Sequence, residues 1–309
     1  MGTYPFHLVR YDREGPLEDT TLLLKRPFVA LNASFTEDAK RFVPGEQLEI
    51  AINTALAVGA PLLITGEPGT GKTQAAYYAA YKLGIEPVLH FQVKSDSSAR
   101  DLLYHFDTVR YFHDAHLGQG GALPAKAAYV ERRALWEAMA SPMPRVLLID
   151  EIDKAPRDFP NDLLHELDQM EFTVVETQET IRAPKAQRPL VCITSNSERR
   201  LPEPFLRRCV YHHIRFDDAL VLRAVDTRRE EYAALPRDFV ALAVQRFLAL
   251  RDRPLRKRPS TGELLVWLRV LALAVGTYPE RLEQDLSQLP YLGVLLKDHQ
   301  DIEDLRGTR

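Results

Sequence analysis

Cysteine is scarce in this 309-residue chain: there are two, Cys192 and Cys209. Neither sits in a metal-ligand spacing, so a reducing compartment is the simple expectation. Excess charge is lacking as well. Lys and Arg number 40 against 43 Asp and Glu, a net charge of −3 with His neutral. Nothing global therefore points to nucleic acid or to an acidic membrane. Long hydrophobic runs are absent. The longest apolar-looking stretch, 264–275 (LLVWLRVLALAV), is too short to span a bilayer and contains Arg269. No basic-then-apolar leader with a small-residue cleavage site opens the chain. These absences set the expectation of a soluble, cytoplasmic protein. What remains is the usual globular mix, 45% hydrophobic and 27% charged. The length suggests two domains.

What is present is organised around Gly66-Glu67-Pro68-Gly69-Thr70-Gly71-Lys72-Thr73. It fits G-x-x-x-x-G-K-S/T, the phosphate-binding loop of nucleoside triphosphatases. Its glycines let the backbone take dihedrals closed to other residues and approach a ligand. Successive N–H groups then cradle phosphate oxygens. Lys72 brings a point charge to the outer phosphates. The Thr73 hydroxyl suits Mg²⁺, which prefers hard oxygen ligands. The flanks agree. Pro61-Leu62-Leu63-Ile64-Thr65 is a short apolar run of the buried parallel-strand kind. Residues 73–83 (TQAAYYAAYKL) read as an Ala-rich helix stopped by Gly84. Its N-terminus adds partial positive charge at the phosphates.

A second stretch carries acids: Arg145-Val146-Leu147-Leu148-Ile149-Asp150-Glu151-Ile152-Asp153-Lys154-Ala155-Pro156. Apolar residues running into two acids describe a buried strand ending at a site, because ligands of such sheets bind beyond the strands' carboxyl ends. Asp150 is placed to hold Mg²⁺, directly or through water. Glu151 is placed to orient and deprotonate an attacking water. Farther on, Pro189-Leu190-Val191-Cys192-Ile193-Thr194 reads as another buried strand, ending in Ser195-Asn196. Asn196 is placed to hydrogen-bond the water or the terminal phosphate, unless it only makes an Asx turn.

Residues 1–27 hold short apolar pieces broken by Gly, Pro and charge. Residues 28–44 read as a loop-like approach ending in Phe42-Val43-Pro44-Gly45. A helix is expected at 46–58, with Leu48, Ile52, Ala55 and Leu56 on one face. A second strand is expected at 87–93. The segment 94–128 is long for a connector. It suggests a short helix at 99–106, an alternating piece at 109–113 and a glycine-rich turn at 117–121. Helices are expected at 129–140 and 158–170, and two short strands at 172–183. A short helix-like piece at 202–208 and a fifth strand at 211–216 follow. From 217 the strands stop, and helices are expected at 218–232, 238–251, 261–275 and 279–288. An α/β part followed by an all-helical part suggests a boundary near residue 216.

The motif set resembles an AAA+ ATPase, and within that superfamily the MoxR-type and related midasin- or dynein-like branch. The resemblance rests on GEPGTGKT (66–73), LLIDEIDKAP (147–156), ITSN (193–196) and LPEPFLRRC (201–209). The lid stretch KRPSTGELLVWL (257–268) is similar too, and about residues 40–275 are covered. The resemblance implies an α/β P-loop NTPase fold: a five-stranded parallel sheet between helices, with a C-terminal all-helical lid. Residues 1–216 would form the core, with 1–40 as an N-terminal extension, and 217–309 the lid. Nucleotide would sit between sheet and lid, at a subunit boundary of a ring, commonly a hexamer.

The resemblance also implies roles. Asn196 would be the first sensor. Arg208 would be the finger reaching the neighbour's γ-phosphate, with Arg207 as its alternative, since a planar guanidinium suits the charge on phosphoryl oxygens. With Lys72 and Glu151 these would be the catalytic residues. Gly66, Glu67, Pro68, Gly69, Thr70, Gly71, Lys72 and Thr73, joined by Gln74, Phe42, Val43 and Arg258, would contact the nucleotide. Thr73 and Asp150 would hold the metal. Gln92 would hold Glu151 inactive until substrate binds. Residues 94–128 and 172–183 match an insert and a hairpin that face substrate or pore. One departure stands out. Where the family carries Arg in a Ser-x-Arg context, this chain has Ser260-Thr261-Gly262-Glu263, leaving Lys257 or Arg258 as substitutes.

Other signals carry less. His105, His113 and His116 lie close in the insert, without a further ligand to complete a metal site. The basic run 251–258 (RDRPLRKR) has no interleaved aromatics and reads as a solvated loop. The expected function is chaperone-like remodelling or activation of a client protein, driven by ATP with Mg²⁺. A separate chain with a von Willebrand factor A domain is the expected partner. The alternatives are an ATP-dependent switch or scaffold with slow turnover and, against the net acidity, a nucleic-acid motor.

Overall fold

Three apolar runs of the sequence become the middle strands of a parallel sheet, as their continuous hydrophobicity requires of strands covered on both faces. The computed structural model describes residues 19–25, 34–117, 125–274 and 282–307. Its contacts divide the chain into two units, residues 34–216 and a second made of 217–309 with 1–33.

The strands of the first unit are β1 (Leu62–Gly66), β2 (Leu89–Gln92), β3 (Tyr104–Phe106), β4 (Val130–Arg132), β5 (Val146–Asp150), β6 (Glu171–Thr173), β7 (Thr180–Arg182), β8 (Leu190–Ser195) and β9 (Val210–Ile214). Its helices are α1 (Phe35–Asp38), α2 (Glu46–Val58), α3 (Lys72–Leu83), α4 (Ala99–Leu103), α5 (Thr108–Leu117), α6 (Ala134–Ala140), α7 (Phe159–Asp162), α8 (Leu164–Gln169) and α9 (Glu203–Leu206). Five strands form one sheet in the order β2-β5-β8-β1-β9, every pairing parallel. The fold is the expected five-stranded parallel sheet flanked by helices. The three inner strands are buried along their whole length, while the edge strands β2 and β9 alternate in exposure. The register sets Gln92 beside Asp150, Ile149 beside Ile193 and Thr65 beside Ser195. The carboxyl ends of β2, β5, β8 and β1 thus line up along one edge of the sheet, where ligands of such folds bind.

Each face of the sheet has its own core. Leu62, Ile64, Val146, Leu148, Leu190 and Cys192 pack under α2 and α3. There Ala75, Ala76, Ala79 and Ala80 let α3 lie close to the strands. On the other face Leu63, Leu147, Ile149, Val191 and Ile193 pack against Leu102, Leu135, Trp136, Met139 and Phe172.

Several segments differ from expectation. The alternating piece at 109–113 lies inside helix α5. Asp107 starts that helix by accepting the Arg110 N–H at 2.9 Å, and Tyr111 packs on Phe106 and Tyr129. The helix expected at 129–140 begins only at Ala134, because Val130–Arg132 pairs with Tyr104–Phe106 as β4. The same pairing ends α4 at Leu103. The helix expected at 158–170 is two short ones meeting at Leu163. The approach expected to be loop-like contains α1 and a 3₁₀ turn at Ala39–Arg41. The hairpin at 172–183 is present as β6 and β7, antiparallel. The glycine-rich turn at 118–121 and most of 1–27 lie outside the described residues.

In the second unit the described residues from 217 onward are helical: α10 (Asp218–Thr227), α11 (Arg237–Arg251), α12 (Thr261–Leu273), α13 (Leu292–Leu295) and α14 (His299–Gly307). Val240, Val244 and Phe247 of α11 and Leu264, Trp267, Leu268 and Leu271 of α12 are buried, and the Trp267 Nε1–H donates to the Pro290 carbonyl at 2.7 Å. The expected helix at 279–288 is reduced to a 3₁₀ turn at Leu286–Gln288 among the described residues, and α13 and α14 follow unforeseen. No helix among the described residues is long and apolar enough to cross a membrane.

Leu63 lies fully buried in β1, whereas Val58 at the end of α2 is 64% exposed. Leu63→Ala is expected to cost about 2–5 kcal/mol of stability in urea denaturation, and Val58→Ala less than about 0.5 kcal/mol.

Candidate nucleotide site

The loop after β1 is shaped by two glycines. Gly66 has φ +152°, and a Cβ there would lie 2.7 Å from the Ile214 carbonyl oxygen. Gly71 has φ +91°, and a Cβ there would lie 2.7 Å from the Phe42 ring. Phe42 therefore packs directly on the loop backbone, with Tyr78 behind it at 5.5 Å between ring centroids. At the tip the Thr70 hydroxyl closes the turn by donating to the Glu67 carbonyl at 2.8 Å, while Glu67, Pro68 and Gly69 are exposed. Helix α3 begins at Lys72, so the N–H groups of its first turn lack intrahelical acceptors and face the loop with the helix dipole behind them.

Lys72 folds back over this cradle. Its Nζ donates to the Gly66 and Glu67 carbonyls, both at 2.9 Å, and the residue is 6% exposed. Burial pushes the amine below the ordinary lysine range, against the pull of Asp153, Asp150, Glu151 and Glu67. The Thr73 hydroxyl donates to Asp150 Oδ1 at 3.0 Å, which joins the loop to the end of β5. Asp150 is 5% exposed. Burial alone would raise its pKa, but hydrogen bonds from His90, Thr194 and Thr73 outweigh this and hold the carboxyl below its usual value.

Glu151 sits just past the strand in the left-handed region, φ 61° and ψ 52°. For a non-glycine residue this is a strained backbone of the kind found at functional sites. The Thr194 hydroxyl stabilises it by accepting the Glu151 N–H at 2.8 Å while donating to Asp150 Oδ1 at 2.5 Å. The Glu151 carboxylate accepts from Asn196 Nδ2 at 3.2 Å and Gln92 Nε2 at 2.9 Å, and it pairs with Lys154. That pairing raises the Lys154 amine above its ordinary value. Asp153, 3% exposed, accepts the backbone N–H groups of Asn196 and Glu198 at 3.2 and 2.9 Å, so it pins the turn after β8.

The structure thus brings together Gly66, Lys72, Thr73, Asp150, Glu151 and Asn196, with Phe42 against the loop. Val43 follows Phe42 and is half-buried. Gln74 donates its side-chain amide to the Phe35 carbonyl at 2.8 Å. Arg207 and Arg208 pair elsewhere, Arg207 with Glu203 and Arg208 with Asp168 and the Pro204 carbonyl. Arg258 is exposed in the second unit. Sequence reasoning missed His90, Thr194, Asp153 and Lys154 as site residues. A threonine at the end of a strand beside the acid strand was the one available signal, and reading it needs the register of β5 on β8.

The donor set suits Mg²⁺. Thr73 Oγ1 and Asp150 Oδ1 are hard oxygens 3.0 Å apart. Among the described residues no group of three or more His, Cys, Asp or Glu side chains could hold a metal. Mg²⁺ needs no such cage, since it takes one or two protein oxygens and completes its shell with water and phosphate.

Thr194→Val keeps the branched shape but leaves the Glu151 N–H without its acceptor and takes from Asp150 one of its three donors. It is expected to lower stability by about 1–3 kcal/mol in denaturant titration. Nucleotide turnover is expected to fall about 10–100-fold.

Residues 61–209 match the family model described as the AAA domain, dynein-related subfamily. No curated protein matches the chain. Among solved structures, a candidate ATPase from Cytophaga hutchinsonii is matched over 88% of this chain and 83% of its own, at 14% identity and a TM-score of 0.41, too low to carry an argument. NtrX from Brucella abortus, solved in complex with ADP, is matched over 92% of this chain at 16% identity and a TM-score of 0.52, a likeness of fold alone. The chain spans 62% of that NtrX chain. The stretch that matches the family model, residues 61–209, holds the phosphate loop, the acid strand and Asn196.

Proposed function

We propose that this protein binds ATP with Mg²⁺, hydrolyses it, and uses the hydrolysis for chaperone-like remodelling or activation of a client protein. The contact of Thr73 with Asp150, 3.0 Å, carries the first part of this reading, because it sets both metal-ligating oxygens beside Glu151. The loop N–H groups and Lys72 would hold the phosphates of ATP, the substrate. Mg²⁺, held by Thr73 and Asp150, would neutralise charge on the phosphoryl oxygens. Glu151, oriented by Asn196 and Gln92, accepts a proton from the attacking water. That NtrX was solved with ADP supports a nucleotide as the ligand of this shared fold.

Assembly into a ring, commonly a hexamer, belongs to the same reading, with Arg208 as the finger offered to a neighbour. Its pairing with Asp168 is solvent-exposed and worth about 0–1 kcal/mol, so a neighbour's phosphates would displace it. Residues 1–216 would be the nucleotide-binding core and 217–309 the lid, with Lys257 or Arg258 as substitute second sensor. The insert at 94–128 and the β6–β7 hairpin support the MoxR-type branch. That branch favours a separate partner with a von Willebrand factor A domain and a cytoplasmic location. A switch or scaffold with slow turnover is the second reading. The Lys154–Glu151 ion pair favours it, since Lys154 occupies a carboxylate oxygen that would have to face the attacking water.

ATP turnover measured against protein concentration tests both. For the remodeller, specific activity rises with concentration. Glu151→Gln and Arg208→Ala each lower it at least about 100-fold, a loss typical of a missing base or finger. Glu151→Gln still binds ATP. Binding of ATP without turnover, even in concentrated wild type, would put the switch ahead. A wild type that does not bind ATP would end both readings.

A further inference from the structure

We propose that His90 is a positioning residue for Asp150, fixing the carboxylate so that Oδ1 stays aimed at Thr73 and the metal. The proposal rests on the nucleotide reading above.

His90 lies on β2, opposite Leu148 and two residues before Gln92. Strand alternation sends Leu89 and Phe91 toward one core. His90 faces the other side, toward Tyr77 of α3, and stays partly exposed at the sheet edge. Its Nε2 is 3.3 Å from Asp150 Oδ2, and its Nδ1 is 3.0 Å from the Tyr77 hydroxyl. One tautomer satisfies both partners: Nε2–H donates to the carboxylate, and Nδ1 accepts from the phenol. Burial, and then the charge of Asp150, pushes the Tyr77 phenol up, so it remains a donor. The ring is held edge-on by Tyr77 at 6.0 Å and by Phe35 at 6.4 Å, and Phe35 stacks on Tyr77 at 5.1 Å.

The two oxygens of Asp150 are therefore fixed separately. Oδ1 takes Thr194 at 2.5 Å and Thr73 at 3.0 Å, while Oδ2 takes His90. With donors on both oxygens the carboxylate cannot rotate about its Cβ–Cγ bond. Thr73 and Tyr77 lie one turn apart on α3, so this helix reaches Asp150 twice, directly and through His90. Groups that hydrogen-bond a ligating side chain set its orientation, and their loss typically costs about 10–100-fold in metal affinity or activity.

The test is the Mg²⁺ dependence of binding of a fluorescent, slowly hydrolysed ATP analogue to the full chain. His90→Ala is expected to raise the Mg²⁺ concentration at half-effect about 10–100-fold. Its affinity for the analogue in EDTA should stay at the wild-type value. His90→Gln, whose amide N–H can reach Asp150, should recover most of the loss. Tyr77→Phe should shift the midpoint the same way by a smaller factor. An unchanged Mg²⁺ midpoint in His90→Ala, or an equal loss of affinity with and without Mg²⁺, overturns the proposal. If His90→Ala does not fold, Tyr77→Phe decides, and a wild-type midpoint there overturns it. A wild type that binds the analogue without any Mg²⁺ dependence removes the nucleotide reading itself, and the proposal with it.

Discussion

A carboxylate only 5% exposed at the end of a strand needs donors on every side, and Asp150 draws them from three elements. Thr73 comes from α3, Thr194 from β8 and His90 from β2. Each is available only because the sheet order places β5 between β2 and β8, and because α3 crosses the same face. The buried charge thus ties the loop, the acid strand and both neighbouring strands into one arrangement. A one-residue shift of β2 would leave Oδ2 without His90, and a shift of α3 or β8 would take one of its two donors from Oδ1. The same threonine that donates to Asp150 accepts the N–H of the strained Glu151, so the pose of the catalytic candidate depends on the donor of the metal candidate.

What was legible in the sequence was what chain neighbours determine. The phosphate loop is eight consecutive residues with a strand before it and a helix after it. The fully apolar runs of β1, β5 and β8 announce burial on both faces. The five strands and the two-stranded hairpin at 172–183 could therefore be read from local pattern. Distant pairing was not legible. Val130–Arg132 has helix formers on either side, and only Tyr104–Phe106 across the insert makes it a strand. The alternation at 109–113 suits an extended chain equally well, until Asp107 caps a helix and Tyr111 finds Phe106 and Tyr129. His90 and Thr194 look like ordinary strand residues. Their value comes from register, which sets Gln92 beside Asp150 and Ile193 beside Ile149.

Within the site, charges are balanced internally. The Lys72 ammonium rests on two loop carbonyls, and Glu151 is paired with Lys154. An incoming triphosphate competes with neutral carbonyl acceptors for Lys72. It offers charge-assisted hydrogen bonds, roughly twice as strong as neutral ones. The exchange at Lys72 thus favours the phosphate, and the bound anion opposes the burial that holds the amine low. At Glu151 the competition runs the other way. Lys154 and Gln92 both hold the same carboxylate oxygen, Oε2. In the proposed chemistry Lys72 can turn to a phosphate, whereas Glu151 Oε2 would reach a water only with a rearrangement of Lys154 and Gln92.

In the second unit, packing does not explain the missing arginine at the start of α12. Gly262 stands in the first turn, and a Cβ there would meet only the Ser260 hydroxyl, at 3.8 Å. That is an ordinary van der Waals contact. The helix start is fixed instead by a capping box, Ser260 accepting the Glu263 N–H while Glu263 accepts from the Ser260 backbone. The cations sit just before it, and that loop is held at both ends. Buried Asp301 of α14 accepts the Arg256 and Lys257 N–H groups at 2.8 and 3.0 Å, and buried Arg251 donates to the Pro259 carbonyl. A loop anchored on two buried charges presents Arg258 from a defined backbone. The cation proposed as second sensor thus stands on the approach to the helix, on a backbone held at both ends.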